Sequence, residues 1–317
     1  MRATLTLVTA GLGLLLLVPA VTHARLPFFL TIGLYAPGTG LLWPLVESYV
    51  SGGRRGRELR RAVGAFNVVW SGTLVPAFWV LSPLLEHAPG AVFPGLAAMH
   101  LAALTLVRLF PREPAPHESA PREPASDRLR RMLGVHRVLL ASAYLVMYAL
   151  TPALPRILDR AGLAASWQSV VASTWVFARM AGFWALGRWH GWHGRWSVAW
   201  VGELCLLGGF GLVVTAPLGP APLLAAVPGL VAFGLGMALL YTAALDYAFE
   251  IGGDEGGGGH EALIGLGYTL GPGCGLAVVG LENAGWLAPD AREFTLLLVL
   301  VSISALAALW AWLRRGS

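Results

Sequence analysis

The stretch at 41–72, LLWPLVESYVSGGRRGRELRRAVGAFNVVWSG, decides the fold. An apolar helix ends near a carboxylate and an aromatic, Glu47 and Tyr49, and a polar loop of about ten residues follows. That loop holds Arg54, Arg55, Arg57, Arg60 and Arg61, and a new apolar helix opens at Ala62-Val63-Gly64. The same order returns as Leu239-Leu240-Tyr241, Asp246-Tyr247, a Gly-rich polar loop and Ala262-Leu263-Ile264-Gly265, at offsets of 198 to 201 residues. Both copies run in the same orientation, so the repeat is parallel, an arrangement known from membrane transport proteins.

Working outward, the composition makes lipid the natural solvent. Of 317 residues, 56% are hydrophobic and only 12% charged, with a mean hydropathy of +0.66, where a soluble domain carries roughly 25% charged residues. The net charge of +5 comes from arginine alone, since the chain has no lysine. These arginines lie in short loops between apolar runs, which fits membrane orientation rather than nucleic-acid binding. Cys205 and Cys274 lie inside apolar runs and form no CxxC pair, so they read as small hydrophobes.

A bilayer core needs about 20 mostly apolar residues per helix. Ten segments qualify: roughly 3–21, 28–50, 62–85, 91–110, 134–155, 167–187, 197–217, 221–249, 262–282 and 293–313. The first could also be a signal peptide ending at Val21-Thr22-His23-Ala24. With the N-terminus inside, 17 arginines fall on the inner side and four on the outer, leaving Arg179 within a span. The positive-inside rule then puts both termini in the cytoplasm. Residues 111–133, PREPAPHESAPREPASDRLRRML, read as a cytoplasmic linker rich in Pro and Arg. The expected organisation is a partial bundle at 1–110, the linker, and a six-helix bundle at 134–317. Set against the repeat, four spans before the linker and six after it predict two further spans ahead of Met1, over some 60–70 residues.

Together these features resemble the major facilitator superfamily. LLWPLVESYVSG at 41–52 and RRAVGAFNVVWSG at 60–72 are similar to the fourth and fifth helices of bacterial members. ALPRILDRAGLAASWQSVVASTWVFARMAGF at 153–183 resembles the seventh and eighth, and HEALIGLGYTLGPGCG at 260–275 the eleventh. GRWHGWHGR at 187–195 resembles the second-half counterpart of the family's Gly-Asp-Arg loop, without its acidic residue. The Gly/Pro motif of antiporters is absent from GTLVPAFWVLSP at 72–83. The resemblance implies an all-α polytopic fold of two bundles, a monomer, and alternating access in a bacterial inner membrane.

Ionisable groups at membrane depth cost about 2.5–3.5 kcal/mol by insertion scales, so they face a cavity or a partner. Arg179 is the leading case, either as an anion contact or charge relay, or paired with Glu203 on the next helix. Glu47 and Asp246 are related by the repeat and could face the mouth of a central cavity. Asn67 and Trp70 share a helix face, with Tyr268 at the matching place in the second copy, and could line a substrate path. Gly271-Pro272-Gly273 reads as a hinge or a static kink. GGDEGGGG at 252–259 cannot be a Walker A loop without lysine, and His190 with His193 lacks a third ligand nearby, so no metal is expected.

No catalytic set stands out, so an enzyme is not expected. The favoured function is secondary transport of a small solute, with no cofactor and with proton or ion coupling left open. The alternatives are a non-transporting remnant or sensor and a polytopic membrane enzyme or lipid-handling protein.

Overall fold

A computed structural model describes residues 1–22, 24–116, 126–252, 254–288 and 291–313. The second PREPA copy, Gly253, Arg314 and Arg315 lie outside these residues. Among the described residues ten α-helices follow one another: α1 Arg2–Val21, α2 Arg25–Ser51, α3 Gly56–His87, α4 Val92–Val107, α5 Asp127–Arg160, α6 Ala165–Arg188, α7 Ser197–Thr215, α8 Pro222–Gly252, α9 Asp254–Asn283 and α10 Arg292–Leu313. No strand occurs among the described residues. Among the described residues, nine helices are long and apolar enough to cross a membrane, α4 counting with the turn before it, and α10 adds a shorter apolar stretch, Thr295–Trp310. With no water in the bilayer core, only internally bonded helices or closed barrels can span it, and this chain uses helices.

Helix starts repeat along the chain. Arg2, Arg25, Gly56 and Val92 open α1 to α4, and Ser197, Pro222, Asp254 and Arg292 open α7 to α10, each 195 to 200 residues later. Helices α5 and α6 have no counterpart among the described residues ahead of them. Helices α3, α5 and α9 each begin six to eight residues ahead of their apolar runs. Helix α5 begins at Asp127, seven residues before the apolar run and within the segment expected as linker. Ser126 caps it by accepting a hydrogen bond from the Leu129 amide at 3.3 Å, and Asp127 sits in the positive first turn.

Helices α1, α2 and α4 pack together, with Leu5, Leu12 and Leu16 of α1 buried. Helix α7 packs on α8, α6 on α8, and α5 on α9. The first four helices meet the rest where α3 lies along α6 and touches α8, and where α2 meets α9. The α3–α6 crossing is close because two glycines meet there. A Cβ added to Gly64 would lie 2.7 Å from the Gly187 Cα, so a side chain would force the helices apart. Further along, the Trp79 indole donates to Ser173 Oγ at 2.9 Å, tying the same two helices. Many large apolar side chains, such as Leu14, Phe29, Leu204 and Leu276, stay exposed and suit contact with lipid tails.

Candidate functional site

A cavity of about 420 Å³ opens where α2, α3, α5, α6, α8 and α9 converge. On α6, Trp175, Arg179 and Phe183 are spaced four apart, so they form one stripe. That stripe faces α3 and carries the only charge of the helix interior into the cavity. The Arg179 side chain is 2% exposed, and its Cζ stands 4.6 Å from the centroid of Trp70 and 4.7 Å from that of Trp175. Its Nε donates to Ser71 Oγ at 3.4 Å, and Nη1 meets the Met147 sulfur at 4.0 Å. Among the described residues no carboxylate lies within 4.0 Å of the guanidinium, and Nη2 has no hydrogen-bond partner.

This arrangement is costly. A buried charge without a counter-ion costs several kcal/mol, while a desolvated cation–π contact returns about 2 kcal/mol. Two rings and one long hydrogen bond offset only part of the penalty. The rings themselves are fixed: Trp70 lies edge-on to Trp43 at 5.7 Å and tilted to Tyr241 at 5.8 Å, and its indole donates to Asn67 Oδ1 at 3.0 Å. Asn67 is fully buried and keeps an unpartnered Nδ2, so it orients Trp70 from behind rather than lining the cavity.

On the far side of the cavity stands Glu261 of α9, beside Glu47 of α2. Neither Glu47 oxygen has a hydrogen-bond partner among the described residues. Tyr144 and Tyr148 of α5 line the same cavity as Glu261 and Arg179. Tyr144, Tyr148, Tyr241 and Glu261 were not singled out from the sequence. The i, i+4 pair of tyrosines on α5 was the available signal, whereas Glu261 looked like part of a loop.

Other expected residues go elsewhere. Glu203 of α7 is buried with both oxygens unpartnered and does not meet Arg179, because α7 packs on α8 whereas α6 packs on α3 and α8. Tyr268 is half exposed and packs edge-on against Tyr148, with centroids 4.5 Å apart. Helix α9 runs unbroken through Pro272, and Gly271 seats α9 on α5, where an added Cβ would lie 2.7 Å from the Leu145 carbonyl oxygen. A Cβ on Gly273 would meet nothing within 4 Å.

Asp246 belongs to a second cluster, at the arginine-rich end of the helices. Its Oδ2 lies 3.5 Å from His193 Nε2 and 4.0 Å from Arg60 Nη1, and His193 Nε2 lies 2.8 Å from Glu250 Oε2. The Gly194 amide donates to the Tyr247 hydroxyl at 2.9 Å, and Arg128 donates to the Gly194 carbonyl at 2.7 Å. Helix α3, helix α5, the 187–195 loop and helix α8 are thereby tied together. The three acceptor-rich side chains His193, Asp246 and Glu250 could in spacing surround a cation, but Arg60 already supplies positive charge there. Nearby, the His190 imidazole is held below its ordinary pKa, first by burial and then by the charges of Arg60, Arg57 and Arg61.

No protein-family model and no curated protein sequence matches the chain. Among solved structures, the chain superposes on a bacterial homolog of the human lysosomal transporter Spinster, in an inward-facing and occupied conformation. The TM-score is 0.52 and the identity 15%, over 98% of this chain and 81% of that one. That likeness is one of fold alone.

Proposed function

We propose that this chain, having a major-facilitator-type fold, carries a small organic solute across the membrane by alternating access to its central cavity. The observation that supports this most is the cavity's position. It is walled by α2 and α3 from one side of the α3–α6 and α2–α9 contacts, and by α5, α6, α8 and α9 from the other. Rocking about those contacts would open it to either face in turn, which is how two-bundle transporters work. The repeated helix starts fit such a division into a first group before residue 111 and a second from α5 onward. The Glu47–Glu261 pair joins α2 to α9 across the same boundary, which makes it the place where a proton could be coupled to rocking. The arginine-rich end, taken as cytoplasmic, would be closed by the Arg60–Asp246–His193 cluster.

A membrane enzyme or a sensor would keep its cavity open to one face only, and this separates the readings without knowledge of the solute. With Cys205 and Cys274 replaced by Ala, Thr73→Cys and Thr151→Cys place single thiols on the cavity wall. In sealed vesicles of both orientations, a membrane-impermeant maleimide should label each thiol from either side. Labelling confined to one side in all vesicles would rule out alternating access.

A further inference from the structure

The cavity's chemistry narrows what it can hold. Its walls are aromatic on several sides, with Trp43, Trp70, Trp175, Tyr144 and Tyr241 presenting rings. Its size of about 420 Å³ lies in the range that encloses a drug-sized molecule. A purely apolar occupant would leave Arg179 with a charge and an unpartnered Nη2 inside the complex. An ammonium beside Arg179 would add a second positive charge at that end of the enclosed space. A planar carboxylate or sulfonate instead supplies the missing acceptor, and a guanidinium holds such a group through a fork of two N–H donors. The rings that sandwich Arg179 fix the fork in place before any ligand arrives, so little freedom is lost on binding.

We propose that the cavity binds an amphipathic organic anion: a flat aromatic body against the wall rings of Trp43, Tyr144 and Tyr241, with one carboxylate or sulfonate on Arg179. This rests on reading the cavity as the solute site, and it goes further by fixing the charge and shape of the solute. The part of the wall that holds Glu261 then receives the uncharged end of the molecule. The body lies where the aromatic faces are, and the headgroup where the only unpaired cation of the wall is.

Three tritiated probes of one shape test this: 2-naphthoate, 2-naphthamide and 2-naphthylmethylammonium. Binding is measured by equilibrium dialysis against the full chain in lipid nanodiscs, with empty nanodiscs subtracting partition into lipid. The expected result is a carboxylate affinity at least tenfold above that of the amide and of the ammonium. Arg179→Gln should bring the carboxylate down to the level of the amide, and Arg179→Lys should keep the order with a smaller gap. Should Arg179→Gln fail to fold, the Lys variant and the wild-type order still decide. Equal binding of the three probes, no saturable naphthoate binding, or a carboxylate preference that survives Arg179→Gln would each overturn the proposal. Counterflow of the same probes in proteoliposomes separates it from the transport reading. Selective naphthoate binding without exchange upholds the anion site and removes transport, whereas exchange of all three alike does the reverse.

Discussion

At the scale of single residues, Arg179 sets function against stability. A guanidinium enclosed at 2% exposure with aromatic neighbours and no carboxylate is held at a net cost to the fold. Arg179→Leu should therefore raise the thermal midpoint of the purified protein while abolishing solute binding. A lowered midpoint would show that the arginine is there to hold helices. His190 offers a smaller test. Its depressed pKa means that the folded chain favours the neutral ring. The stability this carries is complete above the ordinary imidazole value and is lost as pH falls below it. Removing one of the charges responsible, by Arg60→Gln, should move the His190 ring titration upward in NMR; an unmoved midpoint would remove Arg60 from its causes. Arg179, Glu47, Trp70 and Asn67 were legible in the sequence because polar groups at membrane depth are rare. Their partners were not. Adjacency in sequence suggested Glu203 for Arg179, yet the face each helix turns inward depends on which neighbours it packs against.

Whole elements were read more closely than contacts. All ten apolar runs fall on helices, because an apolar stretch of span length has few alternatives in lipid. The exceptions were the starts of α3, α5 and α9, whose first turns are too polar for hydropathy to mark. For α5 the capping residue Ser126 was a local sign. Gly271-Pro272-Gly273 shows the same division between pattern and packing. The two glycines look alike in sequence, but one is pressed against Leu145 and Tyr148 and the other faces open space. Gly271→Ala should then cost roughly 1–3 kcal/mol through overpacking, seen as a lowered thermal midpoint. Gly273→Ala should leave the midpoint within error. Equal effects would place the sensitivity in the bend at Pro272 instead of in the seat on α5.

For the molecule as a whole, the periodicity of about 200 residues noticed in two short stretches extends to the starts of eight helices. Which helices cross between the two groups was hidden, since nothing in a hydropathy profile tells α3 to lie along α6. That pairing also has a meaning in time. Ser71 and Arg179, which touch in the finished protein, are 108 residues apart, and Trp79 and Ser173 are 94 apart. At a synthesis rate of about 5–20 residues per second, α3 must wait roughly 5 to 20 seconds for α6 to emerge. Throughout that wait Ser71 and Trp79 face lipid or the insertion machinery with their partners on α6 unmade. Most of the packing of α3 is thus supplied by what the ribosome delivers later.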